Sequence, residues 1–329
     1  MKKVLITGGA GFIGYYLAKN FAEKDYEIHI VDNLQRGTKD KWFDELINKN
    51  NISFFNIDLL SNNNLDLLSE EYYFIFHLAA IVGVKNVINS PYEVLNKNYL
   101  LLKNTLDIAF RQKKLNRFIF ASTSEVYAGT LKDFSMEFPT PETTPLSVGT
   151  RFTGRNTYML SKIYGESICT HSGLPYTIMR PHNFYGPRMG FSHVIPELLR
   201  KSHQSVDGKI LVNNPHHERS FCFIDDAVDI IINLIVNSAS ENETFNIGNE
   251  NDEISMLNLA KKIVGIVDPN LKINLEDDYN DSPVRRCPNM KKAKEVISIS
   301  NYISLDEGIS RCNDWYFDNE ISSRGITSK

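Results

Sequence analysis

"KVLITGGAGFIG", residues 3–14, is a short β-rich run that breaks at glycines and resumes as a helix, with Ile13, Leu17 and Phe21 recurring at helical spacing. Gly8, Gly11 and Gly14 stand three residues apart across the break. A backbone without Cβ atoms can turn there and come close to a pyrophosphate, which the N-terminal end of the helix dipole attracts. A glycine triplet alone marks many tight turns. Here Asp32, 18 residues after Gly14, closes the next apolar run "EIHIVD" (27–32). Strand, glycine turn, helix, strand and acid in that order form the dinucleotide fingerprint.

Asp32 can accept both hydroxyls of an adenosine ribose, and its charge repels a 2′-phosphate, so the expected cofactor is NAD rather than NADP. Arg36, in "DNLQRG", is near enough to screen that repulsion, although an exposed loop arginine is the commoner reading. Asp58 closes the third run and is placed to reach the adenine, while "HLAA" (77–80) offers small residues beneath the cofactor.

Further out, the runs "ISFFNID" (52–58), "YFIFHLAA" (73–80), "RFIFAST" (117–123) and "PYTIMRP" (175–181) alternate with helical patterns, among them a long helix opened by Pro91. That rhythm predicts an α/β protein with a Rossmann-type doubly wound parallel sheet over residues 1–180. From 181 to 329 the pattern loosens into a smaller C-terminal α/β lobe, partly interleaved with the first domain, that would bind substrate. "IPELLRKSH" and residues 256–266 read as helices there, and "KILV" and "TFNIGN" as strands of the lobe.

The chain has 329 residues, 42% of them hydrophobic, enough for a sizeable core. A net charge of -4 offers no basic stripe, so no nucleic-acid partner is expected. "AVDIIINLIV" (227–236) is too short to span a bilayer and "MKKVLITGG" breaks before a signal core, which together predict a cytoplasmic protein. Cys169, Cys222, Cys287 and Cys312 are scattered and read as free core thiols. His216 and His217 lack a partner at metal-ligand spacing, His77 reads as a core histidine and His182 as a packing residue, so no metal is expected.

"YMLSK" sets Tyr158 and Lys162 four residues apart, on one helix face. A phenol of ordinary pKa near 10 is a poor base unless a neighbouring ammonium stabilises its phenolate.

Taken with "DNL", "NIDLL", "STSEVYAG", "RPHNFYGPRM", "ERSFCFIDD", "FNIGN" and "DSPVRRCPNMKKAKE", the chain resembles the extended short-chain dehydrogenase/reductases that act as nucleotide-sugar epimerases and dehydratases. The resemblance covers nearly the whole chain. It implies an NAD-dependent enzyme that oxidises carbon 4 of the sugar, with Tyr158 as base, Lys162 on the nicotinamide ribose and Thr123 holding the sugar oxygen. It further implies cofactor contacts from Gly8, Gly11, Phe12, Ile13, Gly14, Asp32, Asn33, Ile57, Asp58, Leu78, Ala79, Ala80, Asn98, Tyr158, Lys162 and Pro181. Ser124, Asn183, Arg188, Arg219, Arg285 and Arg286 are implied on the nucleotide sugar. A salt bridge with Asp225 or Asp226 is the bland alternative for Arg219. The resemblance also implies a homodimer through the helices near 93–110 and 157–170.

Glu125 marks a departure from plain 4-epimerases, which carry small residues there. A 4-keto group acidifies the proton on carbon 5, so a carboxylate can remove it, and Glu125 is a candidate for that base; ordering the loop is its other reading. "TSE" resembles the pattern in GDP-mannose dehydratases and in UDP-glucuronate decarboxylases; the expected net outcome is epimerisation or 4,6-dehydration, with decarboxylation of UDP-glucuronate as the alternative. A noncatalytic NAD-binding scaffold is opposed by the intact Thr123, Tyr158 and Lys162. The 33 residues from Glu125 to Tyr158 are about ten more than the family pattern predicts, and read as a lid or specificity loop in which Arg151 and Arg155 could meet a charged sugar substituent.

Overall fold

The computed structural model describes residues 1–61, 65–149, 152–154, 156–277, 283–299 and 301–321. Arg151 and Arg155 lie outside the described residues. Seven strands form the main sheet: β1 (Lys2–Thr7), β2 (Tyr26–Asp32), β3 (Ile52–Asn56), β4 (Tyr72–His77), β5 (Arg117–Ala121), β6 (Tyr176–Pro181) and β7 (Glu243–Ile247). Their order is β7-β6-β5-β4-β1-β2-β3, and every pairing is parallel. The chain order reverses between β1 and β4, which opens a crevice above their carboxyl ends.

Alternation along the strands builds a core on each face. Val4, Ile6, Ile28, Ile30, Phe74, Phe76 and Ile119 point to one side, joined by helix α1 (Phe12–Ala22). Leu5, Val31, Ile75, Phe118, Phe120 and Ile178 point to the other, against helix α2 (Pro91–Phe110). Sheets covered on both faces need apolar residues at successive positions, which is why the runs read as nearly continuous.

Two sequence expectations are refined. "TFNIGN" reads as part of the lobe, yet Glu243–Ile247 pairs with Thr177–Pro181 as the seventh strand of the main sheet. Asp58 lies two residues past the end of β3 rather than closing it. Among the described residues the lobe proper carries three small sheets, of which one joins Glu218–Ser220 to Glu253–Ser255 and Arg285–Arg286. Helix α3 (Asn156–His171) packs beside α2, and helix α4 (Ile224–Val236) packs beside α1. Among the described residues no helix is long and apolar enough to cross a membrane.

Candidate active site

The glycine turn sits at the crevice. Gly8 has φ +70°, and a Cβ added there would stand 2.8 Å from the Ala79 nitrogen, so glycine lets the turn approach the loop after β4. An added Cβ on Gly14 would come within 2.6 Å of the Gly8 carbonyl oxygen, so the turn folds directly onto the first turn of α1. Gly11 is the N-cap of α1 and supplies no side-chain hydrogen bond, which leaves the helix start, Phe12 and Ile13 included, for an anion. Leu78, Ala79 and Ala80 are half-buried beside it.

Asp32 is 9% exposed and accepts from Ala10 N–H (3.1 Å) and Leu34 N–H (2.8 Å). Burial pushes its carboxyl pKa up and the two hydrogen bonds pull it back. Asn33 lies half-buried next to it, and Asp58 is exposed just past the end of the neighbouring strand β3, after the buried Ile57. Asn98 spends its amide on the protein: Oδ1 accepts from Ile81 N–H (2.7 Å), while Nδ2 donates to Ile81 O (3.1 Å) and Ser161 Oγ (3.2 Å). It therefore braces the loop after β4 against α3. Pro181 ends β6, half-buried.

The fully buried strand β5 is followed at once by three hydroxyl residues, Ser122, Thr123 and Ser124. Thr123 stops the strand by capping the short turn Ser124–Tyr127, accepting from Glu125 N–H at 3.2 Å. It also hydrogen-bonds Tyr158, whose phenol pKa is raised, first by burial and then by the Glu125 charge, against the pull of Arg36 and Thr123. Lys162 is 4% exposed, donates to Ala121 O at 2.6 Å and lies 5.8 Å from the centre of the Tyr158 ring. Burial brings its pKa down to about 8, partly offset by Cys169 and Glu166. The four-residue step puts Tyr158 and Lys162 on one face of α3, and the structure brings Thr123 and the charge of Glu125 beside Tyr158.

Glu125 is not free. Its Oε1 accepts from Arg286 Nη2 at 2.5 Å. Arg286 stands opposite Arg219 in the parallel pairing, so two guanidinium groups share one face of the lobe. Arg219 is 8% exposed and donates to Glu218 O (2.7 Å) and Pro283 O (2.5 Å). The bland alternative fails, since Asp225 pairs with Arg311 and Asp226 accepts from Ile303 N–H. Asn183, at φ +43°, donates to Ser220 O. Ser124 is buried at the foot of Glu125.

Two expected substrate residues are engaged elsewhere. Arg188 forms an ion pair with Asp40 (2.8 Å) and donates to Thr38 O (3.0 Å). Arg285 grips both oxygens of Glu253 (2.8 and 2.7 Å) and stacks on Phe138. Adjacent strand residues point to opposite faces, so only one of Arg285 and Arg286 can reach Glu125.

Sequence reasoning missed the polar network beneath the site. Glu166 accepts from Ser122 Oγ and from Arg180 through two bonds of 2.9 and 2.6 Å. Arg180 continues to Tyr127 OH (2.7 Å), and Tyr127 donates to Asn246 Oδ1 (2.9 Å), which His182 Nε2 also meets. Glu166 was legible in part: Tyr158, Lys162 and Glu166 recur at four-residue steps on one face of α3. The inserted segment closes this network, for Asn246 N–H donates to Glu142 Oε1 (2.8 Å) and Thr140 pairs its backbone with Cys287 and Asn289.

The profile of the NAD dependent epimerase/dehydratase family matches residues 4–248. The chain belongs to this family. It is an NAD-dependent enzyme of nucleotide-sugar chemistry, and the Gly8 cradle with buried Asp32 suits that cofactor. Across 96% of its length it is 32% identical to the UDP-N-acetyl-alpha-D-glucosaminuronate decarboxylase of Bacillus cytotoxicus, of which it covers 98%. It is 29% identical to UDP-glucuronic acid decarboxylase 4 of Arabidopsis thaliana, over 93% of this chain and 67% of that one. The UDP-glucuronic acid 4-epimerase from Bacillus cereus, solved with UDP-glucuronic acid and NAD, has the same fold: TM-score 0.83, 24% identity, 96% of this chain and 99% of that one.

Proposed function

We propose that this family member is a decarboxylase of a nucleoside-diphosphate uronic acid. The Glu125–Arg286 ion pair beside Thr123, Tyr158 and Lys162 carries the reading. A 4-epimerase of a neutral sugar needs no charged pair near carbon 5, whereas any enzyme of a uronic acid must meet the carboxylate there. A 4,6-dehydratase needs a carboxylate free to take the carbon 5 proton, and a guanidinium bonded to Glu125 makes it a weaker base. Decarboxylation needs no base, because a 4-keto uronate is a β-keto acid. The curated relatives at 29–32% identity bear decarboxylase names, which supports the same choice.

Bound NAD supplies the hydride acceptor, and later the donor, at sugar carbon 4. Gly8, Gly11, Gly14 and Asp32 would hold it, with the helix start at Phe12 and Ile13. Tyr158 takes the proton of the 4-hydroxyl and returns it at the end. Thr123 holds the same oxygen, and the Lys162 ammonium together with the positive charge of bound NAD would offset the burial that raises the Tyr158 phenol pKa. The carbon 6 carboxylate competes with Glu125 for Arg286. As carbon dioxide leaves, the bonding pair forms an enolate, which is protonated at carbon 5 from a water held by Glu125. Arg219 and Asn183 take the diphosphate.

The exposed Tyr92, Tyr99, Phe110 and Tyr164 on α2 and α3 support a homodimer through these helices, which light scattering would read. The four cysteines are free and buried, as suits the cytoplasm. The proposed activity is tested by supplying NAD and UDP-glucuronic acid and measuring carbon dioxide release; turnover without release would leave 4-epimerisation as the reading.

A further inference from the structure

Arg188 was expected on the substrate, and the structure sends it to the other end of the crevice. Its backbone has φ +66°, a left-handed conformation that a non-glycine residue rarely adopts. Its side chain is only 4% exposed. The guanidinium lies 4.1 Å from the centre of the Tyr15 ring, in the helix that starts at the glycine turn. Its Nε donates to Asp40 Oδ2 at 2.8 Å and its Nη2 to Thr38 O at 3.0 Å. Asp40 is itself the N-cap of the helix Lys41–Ile47, accepting from Phe43 N–H at 2.8 Å through its other oxygen.

One guanidinium therefore joins three walls of the cofactor crevice. Tyr15 belongs to the pyrophosphate helix, Thr38 and Asp40 end the loop that begins at Asp32, and Arg188 belongs to the first turn of the substrate lobe. That turn is anchored on its own account, because Tyr16 OH donates to Pro187 O at 3.2 Å and Tyr316 OH to Met189 O. The loop 33–40 would otherwise be a surface connection with its far end held only by a helix of seven residues.

We propose that Arg188 is a positioning residue for cofactor binding: it clasps the loop that follows Asp32 in its binding shape before NAD arrives, so that affinity for NAD depends on it. Holding a loop in its bound form removes an ordering cost from the binding step. Arginine is needed because stacking on Tyr15 and a fork toward Asp40 and Thr38 use the planar guanidinium, which lysine lacks. The proposal rests on NAD as cofactor and holds whatever the net reaction on the sugar.

The test is titration calorimetry of NAD into the full-length protein stripped of cofactor, beside thermal melts and UDP binding as a control. Arg188→Ala and Arg188→Lys are each expected to raise the NAD dissociation constant about tenfold or more while the UDP constant stays within twofold. Asp40→Asn keeps the helix cap and removes the ion pair, and is expected to weaken NAD in the same direction. The Arg188→Ala/Asp40→Asn double variant should bind no worse than Arg188→Ala alone, since both remove one interaction. If Arg188→Ala fails to fold, Asp40→Asn gives the answer. A lowered melting temperature with the NAD constant within twofold of the native value, or fully additive losses, would overturn the proposal.

Discussion

Replacing Glu166 by glutamine removes one charge from the polar network under the site while keeping its shape. Glu166 and Arg180 have side chains 9% and 7% exposed and share two hydrogen bonds of 2.9 and 2.6 Å. Breaking a buried pair leaves the surviving charge without compensation, which costs roughly 3–5 kcal/mol. Glutamine keeps one acceptor, so the lower end, about 3 kcal/mol, is expected. Unfolding entropy of about 2.1 cal/mol/K per residue, over 329 residues, is about 0.7 kcal/mol/K, so the melting temperature should fall by about 4 °C. Circular dichroism melts read this directly. The same change reaches catalysis, because the Glu166 charge is among the effects that hold the Lys162 pKa up against burial, which brings it to about 8. Without that charge the Lys162 pKa falls further. Tyr158 needs the ammonium, so activity drops as pH rises past the Lys162 pKa, and the alkaline limb of the kcat/KM profile should begin near pH 8 in the native enzyme and lower in the variant. An unchanged melting temperature, or an alkaline limb that stays in place or moves up, would rule out this role for Glu166.

Tyr158→Phe should cut turnover by about 10²- to 10⁴-fold with the far-ultraviolet spectrum unchanged, as steady-state assays and circular dichroism will show. Gly8→Ala forces a Cβ to within 2.8 Å of the Ala79 nitrogen at φ +70°, so NAD binding by calorimetry should weaken at least tenfold. Glu142→Ala strips Asn246 N–H of its acceptor, costing roughly 1–3 kcal/mol, and should expose the segment 130–149 to limited proteolysis at protease levels the native protein resists.

The sheet was legible because it is buried on both faces, which demands runs such as "RFIFA" that no surface element carries. The glycine turn was legible because Gly8 and Gly14 have no room for a Cβ. "TFNIGN" was assigned to the lobe because a crossover of more than sixty residues separates it from β6, and nothing in five residues says which edge they join. The Thr123, Tyr158 and Lys162 set could be read because a strand end and a helical spacing place it locally. Glu125–Arg286, Arg188–Asp40 and Glu142–Asn246 could not, for their partners are 161, 148 and 104 residues apart and meet only through the packing of the lobe. Two adjacent arginines gave no sign of which would face Glu125, since that depends on the register of Arg285–Arg286 against Glu218–Arg219.

Loss of a carboxylate from a 4-keto sugar at the Glu125–Arg286 pair is read by mass spectrometry of the protein incubated with NAD and UDP-glucuronic acid in deuterated water. The expected product is lighter by one carbon dioxide and carries one deuterium on carbon 5. A product isomeric with the substrate and free of deuterium, or one that has lost water and kept its carboxylate, would contradict it.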